Sequence, residues 1–336
     1  MKVAFFGLEN EHEEYAKKVL KKHQLSFYRN HLDEQTLALI KDVDVLAVFV
    51  FSPVTRAVID SLPKLRLVTT MSTGFDHIDL EYCKKKKITV CNVPTYGENT
   101  VAEHTFALIL ALSRRLYQAI ERTHKQHSFE TDSSLRGFDL KGKTLGVVGC
   151  GHIGRHVARI GVGFEMNVVA FDHYRDEKQA RKIGFTYAPF DAILKKSDIL
   201  TLHVPYMKQT HHLIDAKAIR KMKKGALIIN TARGGIIDTP ALVDALESGK
   251  LAGAGLDVLE GECEIKEEAS VLKKEYKATC NQLTTLLEDH ELMKMENVII
   301  TPHNAFNSKE ALQRILDTTI QNIVSFAQGK VENQVK

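Results

Sequence analysis

The sequence predicts an α/β chain of two doubly wound parallel-sheet domains. Three observations carry that prediction. Short continuous apolar runs, such as Val45–Phe49 and Leu145–Val148, recur along the chain in the pattern of strands buried on both faces. Stretches of helical period separate them, so that strand and helix alternate. The length of 336 residues exceeds what one hydrophobic core ordinarily holds and gives about two domains.

In chain order, the first domain is predicted from a strand at Lys2–Phe6 and a helix over Glu11–Lys22 with Tyr15, Val19 and Leu20 facing inward. A strand at Leu25–Tyr28 and a helix at Glu34–Ile40 follow. Val45–Phe49 is apolar throughout and is expected to be central. A helix after Pro53 runs through Ile59, and the last two strands are Leu67–Thr70 and Ile88–Cys91. The turn after the first strand, Gly7-Leu8-Glu9-Asn10, has a single glycine and no nucleotide fingerprint, so this half reads as the substrate domain. Met71 to Asp76 places small residues ahead of an expected helical start, where backbone N–H groups can hold a carboxylate. The polar loop Asn92–Glu98 leads into a predicted long helix from Asn99 to about Arg122, with Asn99 as its cap. Ala102, Phe106, Ile109 and Leu110 form its apolar stripe. Such a helix suits an interdomain or dimer element, or plain core packing.

The second half is organised around Leu145-Gly146-Val147-Val148-Gly149-Cys150-Gly151-His152-Ile153-Gly154. An apolar strand ends in G-x-G-x-x-G and a helical pattern begins at once, the context a dinucleotide fingerprint requires. Gly149 permits the tight turn, Gly151 the approach of a pyrophosphate, and Gly154 the close packing of helix on strand. The N–H groups of the first helical turn face the phosphate charge. The next strand, Asn167–Phe171, ends in Asp172, 18 residues after Gly154. An acid there accepts hydrogen bonds from ribose hydroxyls and repels a 2′-phosphate, which predicts NADH over NADPH; the nearby Arg175 softens that preference. Further strands run into Thr201–Pro205, Asn230–Gly235, Leu256–Val258 and Thr301–His303, and open α/β sheets bind ligands at such C-terminal ends. Cys263 to Glu296 is a charged, helix-prone insertion. Ser308 to Gln328 is an amphipathic helix expected to return to the first domain.

Three of those strand ends supply Arg233, Glu262 and His303. Parallel strands of one sheet bring their C-terminal ends together, and beside a nicotinamide this trio points to carbonyl–alcohol interconversion. Arg233 can grip a carboxylate in a fork and polarise a ketone oxygen. His303 can pass a proton to that oxygen and take it back in the reverse direction. Glu262 can orient the imidazole and favour its charged form.

Composition narrows the alternatives. The formal charge of +4 is small and dispersed, so no nucleic-acid partner is expected, and Lys84–Lys87 reads as a solvated helix end. The five cysteines include no C-x-x-C and the fifteen histidines no H-E-x-x-H, so neither a disulfide framework nor a metal site is indicated. The N-terminus reads as a strand, and the apolar stretch Phe106–Leu112 is too short to span a bilayer. No membrane association is expected, and a reducing cytoplasm is the expected setting.

With these residues in hand, the sequence resembles the D-isomer-specific 2-hydroxyacid dehydrogenase family, most closely its NAD-dependent D-lactate dehydrogenases. The resemblance rests on Ser72 through Asp79, Tyr96 through Glu103, Gly149 through Gly154, Thr201 through Pro205, Asn230 through Asp238, Leu256 through Glu262 and Thr301 through Phe306, in the family's order. It implies a flavodoxin-like substrate domain (residues 1–98 and 304–336), an inserted Rossmann NAD-binding domain (99–303), and a homodimer joined largely through the NAD domains. It implies that Arg233 anchors substrate, His303 is the acid/base and Glu262 its partner. The Ser72-Thr73-Gly74 backbone would hold the substrate carboxylate, and Tyr96 would touch substrate. Besides Gly149, Gly151, His152, Ile153, Gly154 and Asp172, the cofactor side would include His203, Val204, Pro205, Thr231, Ala232 and Asp257. Cys263 stands where many members have proline, and the segment from there to His303 is long. The expected activity is NADH-dependent reduction of a small 2-keto acid, pyruvate foremost, to the D-2-hydroxy acid. A glyoxylate/hydroxypyruvate reductase is the nearest alternative, and an NAD-sensing binding protein without turnover the alternative of another class.

Overall fold

The computed structural model describes residues 1–262 and 280–335. The chain divides into two compact units, Met1–Tyr96 with Asn307–Lys336, and Gly97–Phe306. Each is a parallel sheet with helices between its strands.

The first unit begins β1 (Lys2–Phe6), α1 (Asn10–Val19), β2 (Gln24–Tyr28), α2 (Glu34–Leu39), β3 (Val45–Val48), α3 (Arg56–Ser61), β4 (Leu67–Thr70), α4 (Leu80–Lys85) and β5 (Thr89–Cys91). Its five strands lie in the order β2-β1-β3-β4-β5, all parallel, a doubly wound arrangement with β3 at the centre. All four residues of β3 are buried, as a strand covered on both faces requires. The short helices start on side-chain caps: Asp33, Thr55 and Asp79 accept from the N–H groups of Thr36, Val58 and Tyr82.

The second unit contains α5 (Glu98–Ser113), α6 (Leu116–Lys125), β6 (Thr144–Val148), α7 (His152–Gly163), β7 (Asn167–Phe171), α8 (Glu177–Ile183), β8 (Thr186–Tyr187), α9 (Phe190–Lys196), β9 (Ile199–Leu202), α10 (Ala216–Lys221), β10 (Ala226–Asn230), α11 (Thr239–Glu247), β11 (Leu251–Leu256), α12 (Cys280–Lys294) and β12 (Val298–Ile300). The seven-stranded sheet runs β12-β11-β10-β9-β6-β7-β8. The order reverses between β6 and β9, and that switch point is where a doubly wound sheet opens a crevice for a ligand. Apolar clusters cover both faces. One joins Val157, Ala158, Phe106 and Ile109 to Leu145 and Val147; the other joins Ile193, Ile219, Leu242 and Leu246 to Leu200, Ile228 and Leu256.

The chain then returns to the first unit as α13 (Lys309–Ala327), which starts on a Ser308 cap and packs against β4 and α1. Its buried Asn322 amide donates to Asn92 O at 3.0 Å and to Thr69 Oγ1 at 3.3 Å, so the helix is keyed to the sheet by polar as well as apolar contact.

Four local expectations are corrected. In α1 the buried positions are Ala16 and, just past its end, Leu20, whereas Tyr15 and Val19 are 39% and 47% exposed. The inward face is set by the packing of α13, which lies three hundred residues on in the sequence. The long helix from Asn99 is two helices, because Arg115 adopts φ +47° and the carbonyl of Ser113 accepts from Phe138 N at 2.8 Å as the returning chain meets the helix end. Asn99 does not cap α5: Gly97 is the cap residue, and the Asn99 amide donates to Glu103 at 3.1 Å. No helix starts directly after Asp76, since α4 begins at Leu80. Within the insertion, Cys263–Thr279 lies outside the described residues, and α12 follows. Among the described residues no helix is long and apolar enough to cross a membrane.

Candidate active site

The glycine-rich turn between β6 and α7 is built around backbone proximity. Gly149 has φ +91°, and a Cβ there would lie 2.6 Å from the carbonyl carbon and oxygen of His203, so only glycine lets this turn settle against the end of β9. A Cβ on Gly154 would lie 2.0 Å from Gly149 O, which is how closely α7 sits on the turn. Gly151, by contrast, has open space where a Cβ would stand, and as N-cap of α7 it brings no side chain to the first helical turn. The N–H groups of that turn are therefore available to an anion. Asp172, at the end of β7, accepts from Cys150 N at 2.7 Å and from Tyr174 N at 2.9 Å, which ties the acid to the turn. Replacing Gly149 by alanine is expected to cost roughly 1–3 kcal/mol of stability from backbone strain alone and to abolish tight NADH binding. Denaturant unfolding and NADH fluorescence titration check both.

The other positions expected on the cofactor side fall at the start of α7 and after β9 and β10. His152 and Ile153 open α7. His203 follows β9, with Nε2 2.9 Å from Thr201 Oγ1; burial pushes its imidazole down to about 3 and keeps it neutral. Val204 and Pro205 continue outward toward solvent. After β10, the Thr231 hydroxyl turns inward to Thr105 Oγ1 at 3.0 Å. The buried Asn230 braces the next turn from both sides, accepting from Ala232 N at 3.0 Å and donating to Arg233 O at 2.8 Å.

That turn presents Arg233, half-buried, with Nη1 donating to Ala232 O at 2.8 Å. The neighbouring Gly234 lies so close to Leu259 and Glu260 that a Cβ would meet their backbone at 2.0–2.3 Å. The Arg233 turn thus sits directly on the segment that carries Glu262. Glu262 receives Leu259 N on one oxygen at 3.1 Å, and its other oxygen lies 2.9 Å from His303 Nδ1. The trio occupies the C-terminal ends of β10, β11 and β12, which are adjacent in the sheet. His303 has φ +52°, a left-handed conformation that costs free energy in a non-glycine residue and persists where surrounding bonds enforce it.

Asp257 supplies the enforcement. Buried at 1% exposure, it accepts from Thr301 Oγ1 and Asn304 N on one oxygen and from Ala305 N on the other, while its own carbonyl accepts His303 N at 2.8 Å. Burial pushes its carboxyl upward, but the hydrogen bonds from His104, Thr301, Ala305 and Asn304 outweigh that and hold it below the usual carboxylate range. A lowered folded-state value means that the stabilisation is present above the unfolded value, about 3.9, and is lost as pH falls through the folded one. Asp257→Asn cannot accept at both terminal atoms. It is expected to lower the unfolding free energy at pH 7 by about 1.5–3 kcal/mol, with the gap from the native protein closing below about pH 4; urea unfolding across that range checks it.

Two supporting residues escaped the sequence reading. His104 of α5 has Nε2 3.0 Å from Thr301 Oγ1, extending the network behind Asp257 across 197 positions. Asp289 of α12, fully buried, accepts from Gly261 N at 3.0 Å and so fixes the turn between Glu260 and Glu262. Neither belongs to a spacing motif. A groove of about 730 Å³, lined by Tyr117, Met293, Ile299, Glu262 and His303 among others, runs beside the dyad.

In the first unit, the Ser72 hydroxyl donates to Gly74 O at 2.6 Å and that of Thr73 to Val93 O at 2.9 Å. Both hydroxyls are thus engaged, one within the loop and one on the segment after β5. Tyr96 is half-buried and its carbonyl accepts Arg314 Nε at 2.6 Å.

The family model described as the NAD-binding domain of D-isomer-specific 2-hydroxyacid dehydrogenases matches residues 106–305. A 2-hydroxyacid dehydrogenase homolog of Haemophilus influenzae is 34% identical, with 98% of each chain covered. A glyoxylate reductase of Thermococcus litoralis is also 34% identical, over 88% of this chain and 84% of that one. Among solved structures, D-lactate dehydrogenase from Aquifex aeolicus, complexed with NAD and lactic acid, superposes with a TM-score of 0.89 at 39% identity, covering 99% of this chain and 98% of that one.

Proposed function

The chain belongs to the D-isomer-specific 2-hydroxyacid dehydrogenase family and is an NAD-dependent enzyme of it; from that premise we propose that it reduces pyruvate to D-lactate. The observation that carries the chemistry is the 2.9 Å pair of His303 Nδ1 and Glu262 Oε2 at the end of β12, beside the Arg233 turn. Bound NADH supplies the hydride. Arg233 grips the substrate carboxylate and polarises the keto oxygen. His303 gives that oxygen a proton, and Glu262 stabilises the imidazolium and keeps Nε2 directed at substrate. The Ser72-Thr73-Gly74 backbone holds the carboxylate from the first unit, and Tyr96 of the same unit contacts substrate. The N-terminal turn of α7 (His152, Ile153) with Gly149, Gly151 and Gly154 holds the pyrophosphate, and Asp172 the adenosine ribose. His203, Val204, Pro205, Thr231, Ala232 and Asp257 complete the nicotinamide side. NADH is preferred over NADPH. Asp172 opposes a 2′-phosphate, and the nearby cations are engaged elsewhere: Arg155 with Asp176 at 3.4 Å, Arg175 over the Tyr187 ring.

The second reading is glyoxylate or hydroxypyruvate reduction, and the likeness to the Thermococcus glyoxylate reductase favours glyoxylate within it. Initial rates of NADH oxidation with pyruvate, 2-ketobutyrate, phenylpyruvate, glyoxylate and hydroxypyruvate, with product chirality, decide between them. Pyruvate is expected to have the highest kcat/KM and to give D-lactate. Preference for glyoxylate would overturn that, and NADH binding without turnover on any acid would favour the sensor alternative.

The working form is a homodimer in the cytoplasm. Leu116, Tyr117 and Ile120 lie on one side of α6 and are each about half exposed, an apolar strip suited to a second copy. Cys83, Cys91 and Cys150 are buried free thiols, pushed up to about 11 by burial, which suits a reducing compartment.

A further inference from the structure

Beyond the reading above, a second cluster of chemically capable side chains stands on the other side of the Arg233 turn. His211 and His212 follow one another in the loop after β9. Consecutive residues ordinarily point apart, but His212 has φ +49°, and the two imidazoles stack with centroids 3.8 Å apart. His212 Nε2 lies 2.7 Å from Glu260 Oε1, and one donor atom from each of His211, His212 and Glu260 falls within 4.8 Å of the others. Each member is braced from behind. Glu260 accepts Thr239 Oγ1 on its second oxygen at 2.8 Å, His212 N donates to Gly235 O at 2.9 Å, and His211 Nδ1 lies 3.2 Å from the Tyr206 hydroxyl.

We propose that His211, His212 and Glu260 bind a divalent cation of the zinc class. Two imidazoles and a carboxylate are a borderline-soft set that selects Zn²⁺, Co²⁺, Ni²⁺ or Cu²⁺ over Mg²⁺ and Ca²⁺. Three protein ligands leave the fourth tetrahedral position to water. With metal–ligand bonds of about 2.0–2.2 Å, neighbouring donors sit roughly 3.3 Å apart, so the 2.7 Å His212–Glu260 edge opens by about half an ångström and the edges to His211, within 4.8 Å, close by up to about 1.5 Å. His211 is the exposed member of the three, and turning its ring onto the ion requires it to shift against the Tyr206 hydroxyl and the His212 ring. The His212–Glu260 pair alone would suffice to pin the turn; the second imidazole stacked on it is what a pin does not need. The outer contacts from Thr239, Gly235 and Tyr206 are the kind that orient metal ligands.

The position gives the ion a consequence, which rests on the proposed acid/base role of the neighbouring dyad. Glu260 lies two residues before Glu262 and Gly235 two after Arg233, so drawing Glu260 and His212 onto a metal displaces both flanks of the catalytic trio and lowers kcat. The binding test needs no substrate and stands apart from the keto-acid reading. The metal-stripped full chain is titrated with ZnCl₂ by calorimetry and with CoCl₂ by visible absorption. One equivalent is expected to bind, with the d–d bands of nitrogen- and oxygen-ligated Co²⁺. His211→Ala, a surface change, should weaken binding about tenfold or more. Glu260→Gln, which keeps an amide oxygen for Thr239, should weaken it as well. Absence of a stoichiometric site, or unchanged affinity in His211→Ala, overturns the proposal. Zn²⁺ that binds at one equivalent without lowering kcat overturns the inhibitory role.

Discussion

Replacing His303 by glutamine is expected to lower kcat for keto-acid reduction by about 10²- to 10⁴-fold, the usual worth of a positioned general acid. Glutamine retains a polar group within reach of Glu262 but has no proton to release at the substrate oxygen. NADH affinity should be nearly unchanged, because the turn that begins at Gly149, with its tie to Asp172, lies at β6 and β7, four and five strands from β12 in the sheet. Steady-state kinetics and NADH fluorescence titration separate the two quantities. A kcat within a few-fold of the native value would remove His303 from the acid/base role. A parallel loss of NADH affinity would mean that the substitution had disturbed the sheet edge instead.

Arg233→Ala should fail differently. The guanidinium holds the carboxylate in the ground state and the developing oxyanion in the transition state, so KM should rise as kcat falls. Two charge-assisted hydrogen bonds at about 1.5–3 kcal/mol each correspond to a loss of roughly 10²- to 10⁴-fold in kcat/KM. Arg233→Lys should recover only part of it, since an ammonium supplies a point charge without the planar fork. An unchanged KM in the alanine variant would place the carboxylate elsewhere. The pair of variants therefore separates proton transfer from substrate anchoring, through kcat in one case and KM with kcat in the other.

The strands were the most legible part of this molecule, for a physical reason. A parallel strand buried on both faces is favoured by an uninterrupted apolar run, and Val45–Val48 announces itself by that alone. The glycine fingerprint was legible because backbone crowding at Gly149 admits one residue type. The pairing of Glu262 with His303 was accessible because neighbouring parallel strands must deliver their ends together, even though 41 positions separate the two residues. What escaped was set by distant packing. Arg114-Arg115 contains no helix breaker, and the helix stops there because Phe138 takes the Ser113 carbonyl. The inward face of α1 depends on a helix at the far end of the chain. His104, Asp289 and the His211–Glu260 cluster are contacts between segments that no local pattern links, which is also why a search for metal-ligand spacing passed the cluster by.

The return of α13 to the first sheet has a consequence for the order in which the protein is made. Residues 1–96 leave the ribosome first, yet the face of β4 awaits Ile315, Leu316, Ile320 and Ile323, which are buried only when α13 docks. The second unit, continuous from Gly97 to Phe306, has every strand of its sheet in hand before then. The unit whose sheet is translated first is thus the one whose cover is completed last, and while elongation proceeds the face that α13 will bury is left bare on the nascent chain.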